Sequence, residues 1–179
     1  MPTSRRFADF GKGLPYYCMD HVPDGGMCLS VFLVLWKDAK WNVLMGKVNP
    51  AYTEWEHIGA LDKSRLERLS ARWMLPSSHF ILYESPEEAA KRVLKEQLGL
   101  DGVALDGPHV YTEVYDIERA NIKNHWDLEF VFLGELDREP APHPAWLELK
   151  FMNMDTMRTD EFARNHQDIL RHVGLYRRE

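Results

Sequence analysis

The sequence predicts an α/β (α+β) domain with strands and helices in mixed order, and three observations carry that reading. Apolar runs of strand length lie on both sides of one sharply bounded helix. Strands and helices do not alternate in the strict order of a doubly wound parallel sheet. An amphipathic segment closes the chain. At 179 residues there is room for one well-packed domain plus an extension. Hydrophobic residues at 45% and aromatics at 12% are enough for a substantial core.

Residues 1–26 are rich in glycine, proline and aromatics and show no period, so they read as an N-terminal extension that packs on the core formed by 27–179. Met27 to Trp36 and Trp41 to Lys47 read as paired strands across the four-residue loop Lys37 to Lys40. Asp62 to Arg72 is expected to be a short helix, with Asp62 as N-cap and Leu66 and Leu69 on one face. A short apolar strand should precede the central helix. That helix is bounded by Ser85, Pro86 and Glu88, a cap, a first-turn proline and a capping-box partner, and it stops at Gly99. Its stripe Ala90, Val93, Leu94 and Leu98 would dock on a sheet. Further strands are expected at His109 to Tyr115, Trp126 to Leu136 and Trp146 to Met152, and an amphipathic helix over Thr159 to Val173.

A net charge of −6 with both signs interspersed argues against an extended nucleic-acid surface or a membrane surface as partner. The longest apolar run, Met27 to Trp36, is too short to span a bilayer. The first ten residues lack the apolar core of a secretory signal, so a cytoplasmic location is expected. Cys18 and Cys28 read as ordinary thiols. The eight histidines form no zinc-ligand spacing.

Functional information concentrates in Leu75 to Leu100. Glu84, Arg92, Leu94, Glu96, Gly99 and Leu100 fall at the spacing of the pattern G-x5-E-x7-R-E-U-x-E-E-x-G-U, in which U is a bulky aliphatic residue. The stretch resembles the Nudix box of pyrophosphohydrolases, in degenerate form over residues 78–100. The resemblance implies a Nudix-like fold for 27–179 with a mixed β-sheet sandwiched between helices, a cleft for a nucleotide-like small molecule of the nucleoside diphosphate type, hydrolysis of a phosphoanhydride bond with Mg²⁺ or Mn²⁺, and a homodimer. It also implies a structural ion pair between Glu84 and Arg92.

Departures from the pattern fall on the chemistry. Ser77 and Ser78 stand where a Gly-Gly pair is usual, and Tyr83 displaces a glycine before the Ser-Pro turn. If the serines adopt positive φ they carry a steric cost that glycine does not, although their hydroxyls and amides could bind a phosphate. Positions 93, 96 and 97 meet on one helical face, where three carboxylates would cage a magnesium ion. This chain has Val93, Glu96 and Gln97 there, which leaves one negative charge and one neutral carbonyl.

Glu96 is therefore the candidate metal ligand and catalytic carboxylate, and Ser77, Ser78 and Gln97 are candidate substrate contacts. Glu129 and Glu148, on later strands, are candidate catalytic carboxylates. Strand alternation puts Asp127 and Glu129 on one face, which ordinarily would be the wet one. Two functions stay open at this point: a divalent-metal-dependent hydrolase with an impaired cage, or a catalytically silent nucleotide-binding or regulatory module.

Overall fold

A computed structural model describes residues 26–61, 63–81, 83–115 and 125–178. Of the extension expected to pack on the core over residues 1–26, residues 1–25 lie outside the described residues, and Gly26 is the first residue of the opening strand. Two long strands open the fold, β1 (Gly26–Lys37) and β2 (Ala39–Val48), hinged at Asp38 with φ of 62°. Two short helices follow, α1 (Trp55–Gly59) and α2 (Lys63–Leu69). Then come β3 (Ser77–His79), α3 (Pro86–Leu98), β4 (Asp106–Tyr115), β5 (His125–Glu135), β6 (Trp146–Asn153) and α4 (His166–His172).

The six strands form one mixed sheet in the order β4-β5-β1-β2-β6, with β3 also pairing to β1. β1 and β5 run parallel in unbroken register from Gly26 opposite His125 to Trp36 opposite Glu135. The other pairings are antiparallel. Because side chains alternate along a strand, β1 serves two cores. Val31, Leu33 and Leu35 pack with Phe132 and with Ala90, Val93, Leu94 and Leu98 of α3. Phe32 and Val34 pack on the other face with Val131 and with Ile169 and Leu170 of α4. Among the described residues no helix is long and apolar enough to cross a membrane.

The central helix follows its sequence signals closely. Ser85 accepts from the Glu88 amide, Glu88 accepts from the Ser85 amide, and Gly99 closes the helix at φ of 64°. Two other expectations change. The short strand before the helix is Ser77–His79, polar in composition yet buried, because β1 supplies its partners Phe32, Val31 and Ser30. The single helix expected over Thr159 to Val173 becomes a 3-10 turn, Thr159–Glu161, followed by α4.

That break has a tertiary cause. The Trp73 amide donates to the Glu161 carbonyl, and the Ala163 amide donates to the Trp73 carbonyl, each at 2.8 Å. Backbone groups needed for helical bonds are thereby committed to Trp73. Arg164 and Asn165, both at positive φ, then redirect the chain into α4.

Candidate functional site

The end of β3, the turn at Tyr83 and the buried side of α3 meet around Arg92. Its Nε donates to Glu84 Oε1 at 2.6 Å, and its Nη2 donates to Glu84 Oε2 at 2.9 Å and to the His79 carbonyl at 2.8 Å. A longer contact of 3.4 Å joins Nη1 to the Ser78 hydroxyl. Both charged side chains are about nine-tenths buried, at 11% and 10% exposure. Glu84 also accepts the Ile81 amide at 3.1 Å. A planar two-pronged pair fits this role, because the guanidinium satisfies two carboxylate oxygens and a backbone carbonyl at once.

One turn further on, the carboxamide of Gln97 is fully engaged with main chain. Its oxygen accepts the Ser77 amide at 3.2 Å, and its nitrogen donates to the carbonyls of Ser77 at 2.8 Å and Ile58 at 2.9 Å. Helix α3 is thus bonded to β3 and α1 through one side chain. Val93 is buried in the α3 core and offers no oxygen. Glu96 remains partly exposed, with Oε2 3.5 Å from Arg92 Nη1 and without a hydrogen-bond partner among the described residues.

Ser77 and Ser78 are both buried, at 2% exposure each. Neither has positive φ; they lie in extended strand, so the steric cost considered above does not arise. Tyr83 does occupy the left-handed region, at φ of 70°, with its side chain 94% exposed. The left-handed backbone that glycine favours is therefore present at this position.

Glu129 lies on the opposite face of the sheet from α3. Its neighbours Asp127 and Val131 alternate with Leu128, Phe130 and Phe132 as the period predicts, but this is not a wet face: Glu129 is 1% exposed and Asp127 7%. Helix α4 is the reason, since it packs on that side against Phe32 and Val131. The Ser30 hydroxyl donates to Asp127 Oδ1 at 2.9 Å, while Glu129 Oε2 has no hydrogen-bond partner among the described residues. Burial first, then the charges of Asp127, Glu113 and Asp168, push the Glu129 carboxyl up to about 8. Tyr111, opposite Glu129 on β4, stacks on His172 of α4 with ring centroids 4.6 Å apart. The sequence reading missed Ser30, Glu113, Tyr111 and Asp168 as neighbours of Glu129. One signal existed for Ser30, a polar residue at an inward position of an otherwise apolar strand.

Glu148 has a third environment. It lies exposed on β6 between Lys47 at 2.8 Å and Lys150 at 3.2 Å, whose hydrogen bonds lower its pKa. Glu96, Glu129 and Glu148 are therefore not brought together. Among the described residues no group of three or more His, Cys, Asp or Glu is placed to hold a metal ion.

No protein-family model and no curated protein sequence matches the chain. Its fold does match solved structures. The E. coli dihydroneopterin triphosphate pyrophosphohydrolase superposes with a TM-score of 0.55 at 15% identity, covering 81% of this chain and 94% of that one. A MutT NUDIX hydrolase from Burkholderia pseudomallei gives 0.56 at 15% identity, with 82% and 98% covered. The NUDIX domain of Shewanella oneidensis NrtR, solved with ADP ribose, gives 0.54 at 15% identity, with 83% and 86% covered. At such identities the likeness establishes the fold.

Proposed function

From the Nudix fold of this chain, we propose that it is a catalytically silent module that binds a nucleotide-like ligand of the nucleoside diphosphate type. The observation that carries this reading is the commitment of Gln97 to the backbone of Ser77 and Ile58, beside a buried Val93. Magnesium takes hard, preferably charged oxygens in near-octahedral geometry. On the box face of α3 only Glu96 offers a carboxylate, and Arg92 competes for it. That donor set does not fit the ion expected of the box.

The ligand class is drawn from a structural neighbour, the NrtR domain solved with ADP ribose. Ser77, Ser78 and Gln97 are buried, so a phosphate would have to be met by other groups along the same edge. A specific observation keeps the hydrolase reading in play: Glu96 Oε2 lacks a hydrogen-bond partner among the described residues. In that reading Glu96 is the surviving catalytic carboxylate and Mg²⁺ or Mn²⁺ the cofactor.

Titration calorimetry with ADP-ribose, paired with an assay of phosphate-bond cleavage over nucleoside diphosphate derivatives in Mg²⁺ or Mn²⁺, decides between the two. Binding without turnover is the expected result. Turnover that disappears in Glu96→Gln would establish the hydrolase instead.

A further inference from the structure

The buried acidic group beneath α4 belongs to neither the box nor the ion pair of Arg92. Register places Ser30 beside Glu129 and Cys28 beside Asp127 on β1, and Tyr111 and Glu113 opposite those same two residues on β4. His79, on β3, pairs with Ser30 and lies 3.8 Å from Cys28 Sγ. From α4 come Asp168, which is paired with Arg171, and His172, whose Nε2 is 4.0 Å from Glu129 Oε2. That separation is too long for a hydrogen bond. Glu129 is thus a carboxyl at 1% exposure, with one oxygen that has no hydrogen-bond partner among the described residues, among three further carboxyls and under a seven-residue helix.

We propose that the docking of α4 on the sheet is governed by the proton on Glu129: α4 packs down while the proton is present and loosens when it leaves. An ionised Glu129 in this position needs water, since a buried carboxylate without partners is strongly unfavourable. His172 of α4 lies 4.0 Å from Glu129 Oε2, so loosening α4 would let water approach that oxygen. Helix α4 is held down by Ile169 and Leu170 against Phe32 and Val131, by His166 on Phe32 and the Leu75 amide, and by His172 on Tyr111.

Linkage gives the sign. The folded-state pKa of Glu129 is raised to about 8 from 4.5, so the native state holds a proton that the unfolded chain has released. Stability from this group is complete below the unfolded value, falls as pH rises, and is lost by the time pH passes the folded value. Buried His166 acts in the opposite sense below its ordinary value of 6.5, so the interval from 6.5 to about 8 is where the Glu129 contribution is followed.

Amide hydrogen exchange on the full chain, corrected for the intrinsic pH dependence, tests this over that interval. Protection of His166–His172 should fall while that of β1 and β5 holds, and Glu129→Gln should remove the fall. A carbon-13 titration of the glutamate carboxyls should give one midpoint near the same pH, absent in Glu129→Gln. Asp168→Asn, a change on the partly exposed side of α4, should move that midpoint down by removing one of the charges that raises it. Unchanged α4 protection across the interval in the wild-type chain, or the same fall in Glu129→Gln, would overturn the proposal; so would an unmoved midpoint in Asp168→Asn.

Discussion

Gln97 and Ser77 exchange two hydrogen bonds, the carboxamide oxygen of one taking the amide of the other while its nitrogen meets the same residue's carbonyl. This closes β3 onto α3 as a neighbouring strand would. A glutamate at 97 could supply only acceptors where the carbonyls of Ser77 and Ile58 now require donors.

Gln97→Glu is therefore expected to destabilise the fold by about 3 kcal/mol at neutral pH, because a buried carboxylate would face two carbonyl oxygens. Urea denaturation of the two proteins measures it. Restoring the box with Val93→Glu and Gln97→Glu together should cost more still, with a second carboxylate placed in the apolar core of α3. An equilibrium midpoint at or above that of the parent would refute both expectations.

Arg92 makes demands that lysine does not meet. Its guanidinium bonds both oxygens of Glu84 and the His79 carbonyl, a fork that an ammonium group cannot reproduce. Arg92→Lys should lose about 2 kcal/mol and Arg92→Ala about 4 kcal/mol, the latter leaving Glu84 buried and unpaired. Thermal and chemical denaturation check the order as well as the size. Equal losses would mean that charge alone matters.

Tyr83 offers a gain. A non-glycine residue in the left-handed region is disfavoured by about 1–2 kcal/mol, and the tyrosine ring, almost wholly exposed, contributes little packing. Greater freedom of glycine in the unfolded chain offsets about half of that. Tyr83→Gly should raise stability by about 0.5 kcal/mol, read as an upward shift of the denaturation midpoint with unchanged slope.

His166 sets the acid limit. Its Nδ1 accepts the Leu75 amide at 2.9 Å, its ring meets Phe32 edge-on, and burial, with a smaller contribution from Arg164, holds its pKa well below 6.5. The unfolded chain takes up this proton before the folded one, so stability is lost as pH falls below 6.5. His166→Asn can retain an acceptor without titrating. A melting-temperature profile that is flatter on the acid side in this variant is the expected outcome.

Local signals were legible in the sequence wherever one residue decides the outcome. Ser85, Glu88 and Gly99 bound α3 because caps act through adjacent backbone. The expected ion pair of Glu84 and Arg92 is present for a similar reason, the two residues being eight apart across one turn and one helix. Distant partners left no such trace. Nothing local to 159–173 indicates that Trp73 will take its backbone bonds, and nothing local to Asp127 and Glu129 says that α4 will cover them. Helix α1 went unread because it is five residues long, with Trp55 and Ile58 buried by neighbours elsewhere in the chain.

The parallel pairing of β1 with β5 has a consequence in time. The first strand finds β2 at once and β3 soon after, but its full-length partner arrives only with residues 125–135. Contacts of such long sequence separation are slow to close. During synthesis from the N-terminus, one edge of the most apolar strand in the chain stands open until β5 has emerged. That interval, rather than any weakness of the finished sheet, is when pairing with another copy would lead to aggregation.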